Sequence, residues 1–493
     1  MTDPALPEYH LHARNAAARQ WTMRIGSDAR VGGGPLRTLV DPANGAPLAE
    51  LHDASADDVA AAVDAAVAAA PAWGALTPRA RAARLRELAD LVEQHADELA
   101  WLDTLNAGLP LAAMRADVRI GVDRVRMFAD LGLGLGGRTI PASDNGVHLT
   151  YREPFGVVAR IIPFNHPLMF SLSKIAAPLV AGNTVVLKPS ELTPLSALRI
   201  VELAASVLPP GVLSIVHGGP DVGDALVRHR AVRRIAFTGS HQVGRAIQQA
   251  GAEVGVKSVS LELGGKNAML VFPDADLDAA IAGAVKGMNF NFAGQSCGST
   301  SRVLVHRSIA DEFTSRYAQA VSALTVGVPW HEGVSVGPVV SARQLERVRG
   351  FIERAISDGA RLVAGGLDPV GQDGGFFVAP TVFADVDPAS ELGREEVFGP
   401  VVSVMTFDDE AEALEIANAV EYGLTGSIWT SDLARAHRLA KGLEVGFVWV
   451  NDTSTHWAGV PFGGSKLSGV GREESMEEVL DYTEVKSVSL VFA

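Results

Sequence analysis

The chain has 493 residues, 47% hydrophobic and 20% charged, with a formal net charge of −15. This length exceeds one core and implies two or three domains, while the acidic balance offers no basic face for nucleic acid. No apolar run is long enough to span a bilayer, and an amino terminus with Asp3, Glu8 and no apolar h-region reads as lacking a signal peptide. The expectation is a cytoplasmic protein without a membrane or nucleic-acid partner, in reducing surroundings that suit a free thiol.

The first 50 residues read as strands around turns, with Asn44-Gly45 marking a hairpin. Two Ala-rich helices follow. Ser55 caps the first, Val59, Val63 and Val67 share one face, and Pro71 ends it; Thr77-Pro78 opens the second, with Leu85, Leu88, Leu91 and Val92 at helical spacing. A third helical stretch covers about 111–131, and the three read as a packed layer without chemistry. The run Gly132-Leu133-Gly134-Leu135-Gly136-Gly137 matches GxGxxG in form but follows a helical stretch and runs into Arg138-Thr139-Ile140-Pro141. A dinucleotide fingerprint follows a strand and opens a helix, so this run is a linker.

From Gly146 short apolar strands alternate with helices, with strands over 157–162, 184–187, 213–216, 233–237 and 256–261. Such alternation means a parallel sheet, which binds ligands beyond the carboxyl ends of its strands. Asn165, Lys188, Glu191 and Gly239 each follow a strand there. A second α/β run begins with strand 267–272 and helix 277–288, which lead into Gly294-Gln295-Ser296-Cys297-Gly298. Near the end, 461–466 and 468–473 form a Gly-rich loop, and 482–492 alternates enough to be a strand that invites pairing with another chain.

Cys297 is the only cysteine, which excludes an internal disulfide and, without histidines at ligand spacing, argues for no metal site. A lone thiol is either a small buried hydrophobe or a nucleophile. Residues 294–301 are otherwise small or polar, leaving little local apolar material around the sulfur, and glycines on both sides let the backbone turn closely about a substrate. Glu262 closes a β-rich run before Gly264-Gly265, where a carboxylate can act as general base.

The chain resembles the aldehyde dehydrogenase superfamily over nearly its whole length. The resemblance rests on Glu153-Pro154-Phe155-Gly156, Pro163-Phe164-Asn165, Lys188-Pro189-Ser190-Glu191, Phe237-Thr238-Gly239-Ser240, Leu261-Glu262-Leu263-Gly264-Gly265-Lys266, Gly294-Gln295-Ser296-Cys297, Glu396-Val397-Phe398-Gly399-Pro400 and Pro461-Phe462-Gly463-Gly464, in that order. It implies an α/β fold with three parts. Residues 1–131 and 154–262 would form a Rossmann-like NAD-binding domain, 263–462 an α/β catalytic domain, and 132–153 with 463–493 a β oligomerisation arm of a homodimer or homotetramer.

The resemblance also implies roles. Cys297 attacks the aldehyde, and Asn165 and the Cys297 backbone N–H hold the oxyanion. A hydride passes to NAD, with NADP as the alternative cofactor. Glu262 activates the water that hydrolyses the thioester, and Lys174 supports the site. Lys188 and Glu191 would meet the adenosine ribose, Gly239, Ser240 and Gly244 the pyrophosphate, and Glu396 and Phe398 the nicotinamide riboside, with Ile161 and Pro163 also against the cofactor. The substrate funnel would draw on His166, Met169, Phe170, Ser173, Ser296, Gly298, His456, Trp457 and Phe462. That set is aromatic and mildly polar without Arg or Lys, so the expected substrate is a neutral aromatic or medium-chain aldehyde. A semialdehyde, acyl-CoA formation, and a non-catalytic homologue are the rival readings.

Overall fold

The computed structural model describes residues 6–492. A six-stranded sheet runs, edge to edge, Gly469–Val470, Ser258–Glu262, Val232–Thr238, Val157–Ile161, Thr184–Lys188 and Leu213–Ile215; only the first pair is antiparallel. Val157–Ile161 and Thr184–Lys188 are buried at every position, the mark of parallel strands covered on both faces. A seven-stranded sheet orders Arg361–Ala364, Thr381–Ala384, Val401–Phe407, Arg302–His306, Ala268–Val271, Thr425–Trp429 and Phe447–Val450, antiparallel only at its first pair. The chain passes from one sheet to the other just after Glu262, since Ala268 already opens an interior strand of the second.

A third sheet, antiparallel, joins Thr139–Ile140, Gly146–Pro154 and Thr483–Val491. The terminal strand therefore pairs within its own chain, which uses one of its edges and leaves the other open. Residues 463–493 do not all lie in this arm. Gly469–Val470 pairs with Leu261 and Glu262, and this pairing carries the following loop back to the end of the strand that bears Glu262.

The amino-terminal third departs from the sequence expectation in three places. A helix, Leu6–Ala18, precedes the strands, and it docks through Tyr9, whose ring stacks on Trp330 at 4.0 Å. Pro71 does not end its helix, which continues to Gly74; the carbonyl four residues earlier belongs to exposed Val67, where water can replace the lost N–H. A further helix, Ala96–Ala107, is buried from Leu99 to Ala107. A helix buried all round shows no apolar stripe to read. The hairpin at Asn44-Gly45 is present between Leu36–Val40 and Pro47–His52. The Gly132 run is a single 3-10 turn leading into the arm. Among the described residues, no helix is long and apolar enough to cross a membrane.

Candidate active site

The Cys297 loop is fixed by backbone conformation before its side chains matter. Helix Leu277–Gly287 gives way to a 3-10 turn, Phe290–Phe292, between Asn289 and Ala293, both left-handed, and then to Gly294 at φ 68°. A Cβ at Gly294 would collide with the Gly399 carbonyl. Gly294→Ala is thus expected to cost about 1–3 kcal/mol in chemical denaturation and to lower activity with it. Beyond this turn, Asn267 Nδ2 donates to the Cys297 carbonyl at 2.7 Å and to the Ser299 carbonyl at 2.9 Å. Gln295 Oε1 accepts from the Val340 N–H at 3.1 Å. The sulfur is less bare than its neighbours in sequence suggest: Cys297 is half-buried and packs on Leu424, Trp449 and Phe462 from remote segments. Burial first, then the Glu396 and Glu262 carboxylates, push its thiol up to about 12, against the pull of Lys174.

Glu262 ends its strand 5% exposed, and neither carboxylate oxygen has a hydrogen-bond partner. A buried carboxylate without donors is costly unless protonated. Burial, and after it the neighbouring Glu473, hold it well above the usual carboxylate range, although Lys174, Arg472 and Arg160 oppose this. Glu262 and Cys297 line one cavity of about 780 Å³, together with Lys174, Thr238 and Glu473. Asn165 is buried beside the Cys297 loop and does not itself line this cavity. Its Nδ2 donates to the Gln295 carbonyl at 2.8 Å, and its Oδ1 is unpartnered. An amide nitrogen has two hydrogens, so one N–H remains beside the peptide that leads into Cys297.

The carboxyl ends of the parallel strands carry a second group of residues. Ile161 and Lys188 end adjacent strands, with Pro163 in the loop beyond Ile161. Lys188 is buried, which lowers its pKa; its Nζ donates to the Pro189 carbonyl at 3.2 Å and lies 3.9 Å from the partly exposed Glu191 carboxylate. An ammonium has three hydrogens to donate, so this Lys–Glu pair has spare capacity for a vicinal diol such as a ribose. The Gly239 N–H donates to the Glu262 carbonyl at 3.0 Å. Ser240 caps helix His241–Val254, whose Gly244 packs on Leu263. The amino end of this 14-residue helix suits a pyrophosphate. Glu396 accepts from the Gly265 N–H at 2.9 Å, and burial pushes its carboxyl up to about 7. Phe398 is held left-handed at φ 58° and meets Phe164 edge-on at 5.6 Å, a backbone that costs energy for an aromatic residue. The donor set fits a dinucleotide.

A family model described as the aldehyde dehydrogenase family matches residues 34–488. The chain belongs to the aldehyde dehydrogenase family. Aldehyde dehydrogenase tropH of Talaromyces stipitatus is 43% identical over 463 residues, covering 92% of this chain and 90% of that protein. Betaine aldehyde dehydrogenase of Cereibacter sphaeroides is 43% identical over 458 residues, covering 92% and 94%. The NAD+ complex of an aldehyde dehydrogenase from Bacillus cereus superposes with a TM-score of 0.94 at 38% identity, covering 97% of this chain and 98% of that one.

Of the funnel residues read from the sequence of this aldehyde dehydrogenase, His166, Met169, Phe170, Ser173, Ser296, Gly298, His456 and Phe462 line the cavity. Trp457 does not: it is 61% exposed on the surface. Two expectations need correction. The wall does contain cations, since Arg124, Lys174 and Lys286 reach it. The helix Leu111–Leu131, read as free of chemistry, turns Asp117 and Arg124 toward the same space.

Each of these charges is matched. Lys174 meets Glu473 at 2.5 Å and Arg160 meets it at 2.7 Å. Arg124 meets Glu474 at 2.9 Å, Lys286 meets Asp452 at 2.9 Å, and Asp117 meets His166 at 2.8 Å. In the sequence Glu473 is visible only as the end of a Gly-rich loop, and Glu474 lies just beyond it. Their place at the site depends on the antiparallel pairing of Gly469–Val470 and on reciprocal backbone bonds between Phe462 and Glu473, at 2.9 and 2.7 Å. No local pattern announces either.

Proposed function

We propose that this chain oxidises an aldehyde to the carboxylic acid with NAD, through a covalent thioester on Cys297. The observation that carries this reading is a single cavity lined both by the only thiol and by a buried carboxylate whose oxygens are unpaired. A thiol pushed up to about 12 is almost wholly protonated at neutrality, so its proton has to be taken as it attacks. Glu262, high in its own range and without donors to satisfy it, is the acceptor in reach of the same space. As the Cys297 sulfur adds to the aldehyde carbonyl, the free N–H of Asn165 and the Cys297 backbone N–H stabilise the developing oxyanion. NAD, when bound, supplies the acceptor for the hydride that leaves the same carbon. Glu262 gives that first proton up to solvent, then takes one from the water that attacks the thioester and returns it to Cys297, which departs as leaving group. Lys174 and Arg160, both clamped on Glu473, keep a positive field behind Glu262 throughout.

For the cofactor we read Lys188 and Glu191 as the ribose partners. A carboxylate at Glu191 accepts from ribose hydroxyls and repels a 2′-phosphate. kcat/KM is therefore expected to favour NAD over NADP by at least about tenfold, and Glu191→Gln to narrow that ratio. An NADP preference in the wild type contradicts the assignment.

For the substrate we favour an uncharged aldehyde of medium size, aromatic or medium-chain aliphatic. The support is that Arg124, Lys174 and Lys286 already hold carboxylate partners, so a semialdehyde carboxylate would be desolvated without a counter-charge. The acids Asp117, Glu473 and Glu474 are likewise engaged, which leaves a quaternary ammonium only Glu262, the carboxylate the reaction itself uses. The kinship with betaine aldehyde dehydrogenases makes betaine aldehyde the comparison that matters. A screen for NADH over benzaldehyde, hexanal, acetaldehyde, succinic semialdehyde and betaine aldehyde tests the order. We also read the third sheet as the surface for a homodimer or homotetramer, since Ile140, Tyr151, Val485, Leu490 and Val491 expose apolar side chains there.

A further inference from the structure

Two histidines on the cavity wall are fixed in the same manner. The helix Leu111–Leu131 places Asp117 and Arg124 two turns apart, about 10 Å along its axis, and both face the cavity. Asp117 accepts from His166 Nδ1 at 2.8 Å. The His166 ring lies against Phe292 at 4.1 Å and Phe170 at 5.3 Å between centroids. Arg124 holds Glu474, which accepts from His456 Nδ1 at 3.0 Å, and the His456 ring lies against Phe462 at 4.6 Å.

An ionised carboxylate only accepts hydrogen bonds, so in each pair Nδ1 carries the proton. In the neutral ring the other nitrogen, Nε2, is then an acceptor with its direction set by the anchored Nδ1 and the flanking aromatic ring. Neither Nε2 has a hydrogen-bond partner among the described residues, and both side chains line the cavity. The wall thus presents two oriented acceptors flanked by aromatic rings, apart from the reacting Cys297 and Glu262. A ligand answering them brings a hydrogen-bond donor. A cationic donor finds Asp117, Glu473 and Glu474 engaged, and the remaining acid, Glu262, is the base of the reaction itself, which favours an uncharged donor. At about 780 Å³ the cavity takes a ring-bearing molecule.

We propose that the aldehyde carries a hydroxyl group remote from its carbonyl, donated to Nε2 of His166 or His456. This rests on the reading of the chain as an NAD-dependent aldehyde dehydrogenase, and it deepens that reading by naming the substrate class. A site with pre-placed polar groups discriminates against a ligand that leaves them unpaired far more sharply than an apolar pocket discriminates by size.

The test compares kcat/KM at about pH 8, where histidine is mostly neutral, for para- and meta-(hydroxymethyl)benzaldehyde against para- and meta-ethylbenzaldehyde. Each pair matches in shape and ring electronics. The wild type is expected to favour one hydroxymethyl compound over its ethyl partner by about tenfold or more. In the His166→Phe, His456→Phe double variant that ratio is expected to fall close to one. Equal rates within both wild-type pairs, or a preference that survives in the double variant, overturn the proposal while leaving aldehyde oxidation intact. Absence of NADH with these four and with the whole aldehyde panel overturns the underlying reading as well. The wild-type ratio decides the matter even where the double variant does not fold.

Discussion

Cys297→Ala is expected to lower aldehyde oxidation by at least about a thousandfold, because removing a covalent nucleophile leaves only binding and oxyanion stabilisation. The same variant is expected to bind NAD with little change. The side chains that fit the adenosine ribose and pyrophosphate, Lys188, Glu191 and Ser240, lie at or just beyond strand ends of the six-stranded sheet, whereas the thiol, with Glu396 and Phe398, lies on loops of the other. Steady-state rates together with a fluorescence titration of NAD check both halves. Turnover above about a thousandth of wild type, or loss of NAD binding along with activity, contradicts this division of labour.

Glu262→Gln is expected to leave at most slow acylation and to impair hydrolysis of the thioester by about a hundredfold or more, the range for a lost general base. Its pH behaviour follows from the same burial. In the wild type the rate should climb as pH rises toward the raised value of Glu262, because only the ionised carboxylate takes a proton; in the glutamine variant that limb should vanish.

Stability should move the opposite way. A carboxyl held above its ordinary value of 4.5 by burial binds its proton more tightly in the native state than in the unfolded one. Its contribution to stability is then fully present below about pH 4.5 and is lost as pH rises through the raised value. Glutamine carries no such charge, so the variant's Tm should exceed that of wild type at about pH 8 and the difference should shrink toward about pH 4. A Tm at pH 8 below that of wild type contradicts this account of Glu262 as an unpaired buried acid.

The parts of the site that the sequence displays are those with local causes. Strand-ending positions such as Lys188 and Glu262, the helix cap at Ser240 and the glycines around Cys297 follow from short-range chemistry, and the order of the motifs points to the family. The parts it hides are set by distant pairing. Arg160 reads as an interior strand residue, and nothing beside it predicts the ion pair with Glu473. Asp117 and Arg124 read as polar positions on a helix, and only the packing of that helix against Pro167–Val180 brings them to His166 and Glu474. Cys297 itself is the instructive case. Its neighbours in sequence are small and polar, yet Leu424, Trp449 and Phe462 supply an apolar wall from remote segments, and that wall helps to raise its thiol. The expectation of a funnel without cations failed for the same reason, since Arg124 and Lys286 come from helices outside the motifs.

The most direct test of the central claim is to mix Glu262→Gln with NAD and an accepted aldehyde, quench, and weigh the chain. The account predicts up to one NADH per chain and a mass increase of one acyl group, located on the peptide that contains Cys297. Sustained NADH production at the wild-type rate with Cys297 unmodified would contradict it.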